Sequence, residues 1–238
     1  MTDAQNDSAG VVAVTGAAGG IGGALAAGFA AAGWRALAID RTAPAAVPPG
    51  VTPVALDVTD TAAVAAWGDG LGRLDALVNA AGVIRRNDEF DPAVFAQVVD
   101  INLNGAMRMC MAARPALAAS RRGAVINIAS MLSYFGGPLV PAYTASKSGI
   151  AGLTRALAVA WAADGIRVNA VAPGWIATAM TAPLRADDAR SRGILDRTPM
   201  RRWGRPEDLV GPCLFLASDA AAFVTGTLLP VDGGYAAM

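Results

Sequence analysis

The 238-residue sequence contains no histidine, and this absence limits the chemistry open to it. Histidine-based catalytic triads and histidine metal sites are excluded, so tyrosine, lysine, serine and carboxylates must carry any acid–base step. Only two cysteines are present, Cys110 and Cys213, and they lie too far apart in sequence for a usual zinc-ligand or redox motif. We therefore expect no metal site and a reduced, cytoplasmic location.

Net charge is also absent, because the 19 basic and 19 acidic residues cancel. No basic tract is present, which argues against nucleic acid or an anionic membrane surface as a partner. The uncharged stretch Val11 to Trp34 is long enough to span a bilayer. Glycine and alanine dominate it, however, and no basic or aromatic residues anchor both ends. We expect a buried strand and helix there, and no membrane partner.

What the chain does have is a 54% hydrophobic content, which is ample for one large core. The polar residues 1–9 predict a flexible N-terminal tail, and residues 10–238 predict a single domain. Strand-like and helical segments alternate through that domain. This alternation predicts an α/β fold, a single Rossmann-type doubly wound parallel sheet with helices on both faces.

Short apolar runs mark the predicted strands, and longer amphipathic or alanine-rich runs mark the predicted helices. The strands are Val11–Val14, Trp34–Ile39, Val54–Leu56, Leu74–Val78, Ala124–Ile128, Arg167–Val171 and Leu228–Val231. The helices are a segment ending at Gly33, then Thr59–Leu71, Asp91–Leu103, Ala106–Ser120, Pro141–Ala163 and Pro206–Ser218, with one or two mobile helices in Ala182–Arg202. Four prolines from Thr42 to Pro53 predict a loop there.

A glycine-rich turn containing Gly16, Gly20 and Gly22 joins the first strand to the first helix, and the second strand ends at Asp40. This order is typical of dinucleotide-binding folds, where glycines and the helix N-terminus admit a pyrophosphate. A carboxylate at Asp40 can accept hydrogen bonds from ribose hydroxyls and would repel a 2′-phosphate, so NAD is expected over NADP. Arg41 leaves NADP open, because its guanidinium could hold that phosphate.

Tyr143 and Lys147 are four residues apart on a predicted helix, and such positions share one face. A lysine ammonium beside a phenol favours the phenolate, which would make the tyrosine a better base. Ser130 follows the preceding strand and could add a hydroxyl. A tyrosine–lysine pair at this spacing more often lies on a solvated helix face, so the pair alone does not establish catalysis.

Taken together, these features resemble the classical short-chain dehydrogenase/reductase family over Val11 to Gly234. The motifs occur in the order typical of the family: the Thr15–Gly22 turn, Asp57-Val58, Asn79-Ala80-Ala81-Gly82, Asn102, Ser130, Tyr143-x-x-x-Lys147, Asn169, and Pro173-Gly174 with Thr178. The sequence departs from the family at Gly19, where relatives often carry a polar residue, and at Ala80, where asparagine is commoner. The resemblance implies hydride transfer between a nicotinamide cofactor and a secondary alcohol or ketone.

The resemblance also implies a role for each motif. Tyr143 would be the catalytic acid/base, and Ser130 would orient and polarise the substrate oxygen. Lys147 would hold the nicotinamide ribose and lower the tyrosine pKa, and Asn102 would interrupt its helix to position a water in a proton relay. The expected cofactor contacts are Gly16, Gly20, Ile21, Gly22, Asp40, Arg41, Asp57, Val58, Asn79, Ala80, Ala81, Tyr143, Lys147, Pro173, Gly174, Ile176 and Thr178.

Several longer stretches resemble a subgroup of the family that acts on deoxy-keto sugar acids. They are Val83–Arg86, Asn127–Ser133, Pro141–Gly149, Leu184–Asp187, Ile194–Arg197 and Arg202–Gly204. An acid substrate needs cations, and the expected substrate contacts are Arg85, Ser130, Tyr143, Trp175 and Arg185, with Arg86, Arg201 and Arg202 as further candidates. Alternatively, these arginines are solvated or pair with Asp88, Glu89, Asp187 and Asp188.

Two other functions remain open on the sequence. One is another dehydrogenase of the same fold, either a 3-oxoacyl thioester reductase or a dehydrogenase of polyols or other secondary alcohols. The other is a non-catalytic dinucleotide-binding redox sensor, although such proteins tend to lose the Tyr or Lys that this chain retains. The resemblance implies a homotetramer, with subunit contacts from Phe223–Met238 and the long Pro141–Ala163 helix.

Overall fold

The computed structural model describes residues 10–238, so the predicted tail of residues 1–9 lies outside the described residues. Seven parallel strands form one sheet in the order β3-β2-β1-β4-β5-β6-β7. The strands are β1 Val11–Thr15, β2 Arg35–Asp40, β3 Val51–Ala55, β4 Ala76–Asn79, β5 Ala124–Ile128, β6 Arg167–Pro173 and β7 Leu228–Val231. The order reverses between β1 and β4, and ligands of such sheets bind at that switch point.

Helices pack on both faces of the sheet. They are α1 Gly20–Ala31, α2 Thr61–Asp69, α3 Pro92–Val99, α4 Gly105–Ala119, α5 Pro141–Trp161, α6 Ala182–Arg185, α7 Asp188–Arg197 and α8 Val210–Ala217. The cluster on one face joins the sheet to α2, α4 and α5, and the cluster on the other joins it to α1 and α8. Both faces of the central strands are therefore buried, which explains their continuous apolar runs. The predicted doubly wound α/β fold is confirmed.

Two elements differ from the prediction, and a third segment, for which one or two helices were predicted, agrees with it. β3 begins at Val51 rather than Val54 and contains Pro53, which is tolerated because β3 is an edge strand that pairs only with β2. The predicted helix from Asp91 to Leu103 instead ends at Val99 and continues as a π-helix over Asp100–Asn104. The segment Ala182–Arg202 forms two helices, and the second ends at Arg197.

Candidate active site

The glycine turn after β1 lies directly against the carboxyl end of β4. Thr15 Oγ1 accepts hydrogen bonds from the backbone N–H groups of Ala80 and Ala81, at 3.0 and 3.1 Å. Gly16 has φ +70°, and a Cβ there would lie 2.8 Å from Ala81 N. Only glycine fits both this left-handed conformation and this close approach. The turn is thereby fixed at the switch point of the sheet.

The N-terminus of α1 is open where the turn enters it. Its N-cap, Gly19, provides no side-chain hydrogen bond, and nothing lies within 4 Å of the position that a Gly19 Cβ would take. Asp40 lies beside the turn, since its Oδ2 accepts the Ala18 N–H at 3.0 Å. An open helix N-terminus next to a carboxylate at the end of β2 fits the pyrophosphate and ribose of a dinucleotide.

The remaining predicted cofactor residues fall into two groups. Ile21, Pro173, Gly174, Ile176 and Thr178 line one cavity with Ser130 and Tyr143. Asp57, Val58 and Arg41 lie beyond the ends of β3 and β2, with Val58 buried and Arg41 exposed. Hydrogen bonds from the backbone and hydroxyl of Thr59 hold the pKa of Asp57 below its ordinary value, with a smaller contribution from the charge of Arg41.

The side chain of Asn79 forms a hydrogen bond between two strands of the sheet. It is buried, and its Nδ2 donates to Asn127 Oδ1 at 2.9 Å, which joins β4 to β5. Asn127 in turn donates to Thr154 Oγ1 on α5, at 2.9 Å. The network thus links the switch point to the helix that carries Tyr143.

Three of the four predicted catalytic side chains converge from the end of β5 and from α5. Ser130 follows β5, and its hydroxyl and the Tyr143 ring line a cavity of about 410 Å³. Lys147 lies one helical turn after Tyr143, with its Nζ 5.6 Å from the centroid of the tyrosine ring. The Lys147 ammonium is buried and donates to Ile128 O at 2.7 Å. The structure therefore brings the predicted triad together.

Burial dominates the ionisation of both helix residues. It raises the pKa of Tyr143 above its ordinary value, while a Ser130 hydrogen bond and the charge of Arg86 oppose the rise and Glu89 adds to it. Burial also lowers the pKa of Lys147 to about 8. The net shift of the Tyr143 pKa is therefore upward in this structure, because desolvation of the phenol outweighs the nearby charges. A lowering contribution from Lys147 stays a prediction.

Asn102 lies in the π-helix and joins the end of β4 to α5. Its Nδ2 donates to Val83 O at 2.9 Å, and its Oδ1 accepts the Val83 N–H at 2.8 Å. The same Nδ2 donates to Ser146 Oγ at 3.2 Å, and that hydroxyl donates to Tyr143 O at 2.8 Å. The helix interruption implied by the family resemblance is present, and it turns the Asn102 side chain towards the first turn of α5.

Glu89 is a site residue that the sequence analysis missed. It is buried, and its two carboxylate oxygens accept the backbone N–H groups of Tyr143 and Arg85, each at 2.8 Å. A carboxylate at this N-terminal turn of α5 satisfies a free amide and complements the helix dipole. No spacing rule signals this contact, since 54 residues separate Glu89 from Tyr143.

Of the arginines predicted as substrate contacts or further candidates, Arg86 lines the cavity, and Arg85, Arg185, Arg201 and Arg202 do not. Arg86, Arg190 and Arg197 line it, together with the predicted Trp175. Arg85 and Arg185 lie outside the lining, and their guanidinium groups donate to Ile84 O and Thr178 O at 3.5 and 3.3 Å. Arg201 and Arg202 pair with Asp196 and Asp208, at 2.8 and 2.6 Å.

Other features bear on metal, redox and membrane chemistry. Within residues 10–238, no group of three or more histidine, cysteine, aspartate or glutamate residues could hold a metal ion. Cys110 and Cys213 are buried, unpaired thiols whose pKa burial raises to about 12. In the same range of the chain, no helix combines the length and apolarity that a membrane crossing requires.

The motifs that form this site are spread over most of the chain. A known protein family matches the chain over a similar range. A family model described as enoyl-(acyl carrier protein) reductase matches residues 16–236. The chain belongs to the short-chain dehydrogenase/reductase family. It is an oxidoreductase that acts on CH–OH groups, and the predicted family is confirmed.

Two characterised relatives of this short-chain dehydrogenase/reductase act on sugar derivatives. It is 43% identical to 2-dehydro-3-deoxy-D-gluconate 5-dehydrogenase of Escherichia coli, over 95% of each chain. It is 42% identical to the L-tagatose-forming galactitol 2-dehydrogenase of Cereibacter sphaeroides, over 94% of this chain and 93% of that one. The first belongs to the sugar-acid subgroup that the longer sequence stretches resemble.

Two solved structures share the fold and hold ligands. One, from Agrobacterium tumefaciens and proposed to be a 2-deoxy-D-gluconate 3-dehydrogenase, contains NADP; it is 43% identical with a TM-score of 0.88, covering 96% of this chain and 97% of that one. The other is a gluconate 5-dehydrogenase from Burkholderia cenocepacia in complex with NADP and tartrate. It is 33% identical with a TM-score of 0.88, covering 96% of each chain.

Proposed function

We propose that this short-chain dehydrogenase/reductase interconverts a secondary alcohol and a ketone on a deoxy-keto sugar acid, with NAD as its cofactor. One observation carries the proposal. A single cavity is lined by Ser130 and Tyr143 and also by Arg86 and Arg197. It therefore offers a proton-transfer pair and positive charge to the same small molecule.

The chain's own residues would supply the proton chemistry. A bound nicotinamide supplies the hydride donor or acceptor. Tyr143 gives a proton to the substrate oxygen in reduction and takes one in oxidation, and the Ser130 hydroxyl donates a hydrogen bond to that oxygen. Lys147 would hold the cofactor ribose, and Asn102 fixes the loop after β4 against α5. The roles of Tyr143, Ser130 and Lys147 are the ones implied by the family resemblance, which assigns to Asn102 a water in a proton relay; the shared cavity supports the roles of Ser130 and Tyr143.

The substrate class is supported by charge in the cavity and by the relatives. The 2-dehydro-3-deoxy-D-gluconate 5-dehydrogenases are named for a sugar-acid substrate. A solved relative contains the dicarboxylate tartrate. Guanidinium groups bind carboxylates through two parallel N–H donors. The similarity to galactitol 2-dehydrogenase supports a neutral polyol as the second candidate substrate.

The preference for NAD over NADP rests on Asp40. Its carboxylate lies beside the glycine turn, where the adenosine ribose would bind, and it would repel a 2′-phosphate. The solved relatives hold NADP, and Arg41 follows Asp40 directly, so NADP is the alternative cofactor. The decisive quantity is the ratio of kcat/KM with the two cofactors.

We also propose that one domain carries both cofactor and substrate sites, and that four copies assemble in the cytoplasm. Val159 on α5 and Phe223 before β7 are large apolar side chains exposed by 83% and 105%, in the two regions expected to form subunit contacts. Light scattering should give a mass near four times 24.0 kDa. A monomer in solution would contradict the assembly and leave the catalytic proposal unaffected.

The test of the function is a screen of the purified protein at 340 nm with NAD(H) and NADP(H). The substrates are 2-dehydro-3-deoxy-D-gluconate, 2-deoxy-D-gluconate, galactitol, a simple secondary alcohol and a 3-oxoacyl thioester. We expect turnover of a sugar acid with NAD(H). Turnover of only galactitol, the simple alcohol or the thioester would overturn the substrate class while leaving the reaction class in place.

A further inference from the structure

Arg197 ends α7 and lines the same cavity as Ser130 and Tyr143. Its guanidinium carbon lies 4.3 Å from the centroid of the Tyr235 ring and 5.3 Å from that of Phe135. Both distances are within the range of cation–π contacts. The guanidinium is therefore held against two aromatic rings rather than by an acid.

Within the described part of the chain, the lack of an acidic partner distinguishes Arg197 from Arg190, the other cavity arginine on α7. Among residues 10–238, no hydrogen bond or ion pair holds its guanidinium, whereas Arg190, the other α7 arginine in the cavity, pairs with Asp187 at 3.3 Å. Arg86 donates to Met180 O at 3.3 Å, and its charge acts on the pKa of Tyr143. Arg86 thus belongs to the reacting end of the cavity, and Arg197 provides a second cation that no acid in the described chain neutralises.

The aromatic rings around Arg197 come from separate parts of the chain and hold each other. Tyr235 lies in the C-terminal 3₁₀ turn Tyr235–Ala237, with its centroid 6.5 Å from those of Phe135 and Trp175. Trp175 packs edge-on against Trp203, which donates from Nε1 to Ser191 Oγ on α7 at 3.1 Å. This aromatic group therefore ties α7 to the loops that follow β5 and β6, and it fixes where Arg197 can place its charge.

We propose that Arg197 is the specificity-determining residue that binds the carboxylate of the acid substrate. The inference rests on the proposed function and deepens it. Arg197 is an exposed residue, so its contacts with the two rings leave N–H donors of the guanidinium available, and their planar arrangement matches a carboxylate. Contact with the rings restricts the side chain before binding, so less conformational entropy is lost when the carboxylate arrives. The substrate then lies with its reacting oxygen at Tyr143 and its carboxylate at Arg197.

The test compares Arg197→Met with Arg192→Met. Arg192 lies on the same helix, is exposed and does not line the cavity, so its removal changes the net charge equally. We expect Arg197→Met to raise KM for the sugar acid by roughly 10- to 100-fold, which is the loss of affinity expected when one charge-assisted hydrogen bond is removed. The kcat should change less than about threefold. Arg197→Lys should restore part of the affinity because lysine keeps the positive charge. The recovery should be incomplete because lysine lacks the two parallel N–H donors of a guanidinium. Equal KM values in Arg197→Met and Arg192→Met would overturn the inference.

A binding measurement separates this inference from the proposed function. Calorimetric titration of tartrate into the protein with NADH should show binding to the wild type and to Arg192→Met, and at least about tenfold weaker binding to Arg197→Met. If the wild type turns over no sugar acid, the proposed function fails, and the tartrate titration still decides whether Arg197 binds carboxylates. Tartrate binding that is absent, or that is equal in all three proteins, would overturn the role of Arg197.

Discussion

Tyr143 and Lys147 are both displaced from their ordinary ionisation by removal from water. The raised pKa of Tyr143 keeps its phenol protonated at neutral pH, while Lys147, with a pKa of about 8, is mostly cationic there. The protein without substrate is thus prepared to give a proton to a ketone. Alcohol oxidation needs the phenolate, so we expect it to gain from alkaline pH more than ketone reduction does.

The lowered pKa of Lys147 can be measured directly, because Lys147 is the single lysine of the chain. Protein labelled with 13Cε-lysine should show one side-chain resonance that titrates near pH 8 rather than near 10.5. Burial causes the shift, since the ammonium loses hydration and gains only the Ile128 carbonyl. A resonance that titrates near 10.5 would contradict the burial of this side chain.

The same shift has a consequence for stability. The folded-state pKa of Lys147 lies below its unfolded value, so the unfolded chain binds more protons between about pH 8 and 10.5. The contribution of Lys147 to the free energy of unfolding therefore rises with pH through this window, by on the order of 3 kcal/mol in total. Urea unfolding should show this slope in the wild type, and Lys147→Met should remove it.

Asp40 controls the cofactor preference in this account. Asp40→Ala removes the carboxylate that would accept ribose hydroxyls and repel a 2′-phosphate. We expect the ratio of kcat/KM for NAD to that for NADP to fall by roughly 10- to 100-fold, the cost of one or two such interactions. Asp69→Ala is the control, because it changes net charge equally at an exposed position at the end of α2. An unchanged ratio in Asp40→Ala would contradict the assignment.

At the scale of elements, the π-helix Asp100–Asn104 connects the cofactor side of the sheet to α5. Asn102→Ala removes both hydrogen bonds to the Val83 backbone and the one to Ser146, and leaves buried groups unpaired. We expect unfolding stability to fall by about 2 kcal/mol and kcat by at least about tenfold.

Asn104 in the same π-helix is the matched control for that substitution. It is exposed, and its side chain donates to Asp100 Oδ1 within the helix, at 3.1 Å. Asn104→Ala should therefore stay within about 0.5 kcal/mol of the wild type, with kcat preserved. Similar losses of kcat in both variants would mean that Asn102 acts through helix stability alone.

Local patterns predicted the elements well, because strand runs and helix periodicity are properties of neighbouring residues. The strands Ala124–Ile128 and Leu228–Val231 were predicted with their observed bounds. The start of β3 at Val51 was missed, because proline argues against a strand unless that strand is known to be at an edge. The π-helix was also missed as an element, since no periodicity signal separates five residues from the helices that flank them.

At the scale of the whole molecule, a buried network around Asp75 closes the amino-terminal edge of the sheet. Asp75 accepts hydrogen bonds from Val11 N and Ser120 Oγ, at 2.8 and 2.6 Å, and pairs with Arg73 and Arg122 at 3.0 and 3.3 Å. Although burial opposes ionisation, Ser120, the Val11 N–H and Arg122 hold the pKa of Asp75 below its ordinary value. One carboxylate thus joins the starts of β1 and β4 to the end of α4.

The Asp75→Asn substitution tests this network. We expect the free energy of unfolding at pH 7 to fall by about 2 kcal/mol, because a buried charge-assisted network loses its anion. The folded-state pKa of Asp75 lies below the unfolded value of 3.8, so its contribution is present above that pH and is lost as pH falls through the folded-state value. The difference between wild type and variant should therefore shrink below about pH 4. Urea unfolding at equal protomer concentration measures this difference in the free energy of unfolding. A difference that persists in acid would contradict its attribution to the ionised Asp75 carboxylate.

Contacts between residues distant in sequence set the limit of what the sequence could predict at the site. The family motifs located Ser130, Tyr143, Lys147 and Asn102, because motif residues occur at recognisable positions. The motifs assign no role to Glu89 or to Arg197, although Arg197 lies in the Ile194–Arg197 stretch that resembles the sugar-acid subgroup. The Glu89 contact with Tyr143 and the cation–π contacts of Arg197 with Phe135 and Tyr235 exist only once separate loops meet at the carboxyl edge of the sheet.

The Tyr143→Phe substitution tests most directly whether Tyr143 exchanges the proton in a dinucleotide-dependent hydride transfer. The measurement pairs NADH affinity, by fluorescence titration, with turnover of the sugar acid at 340 nm. We expect NADH affinity within about threefold of the wild type and a loss of kcat of at least about 10³-fold. A Tyr143→Phe protein that binds NADH normally and still turns over within tenfold of the wild type would contradict the account.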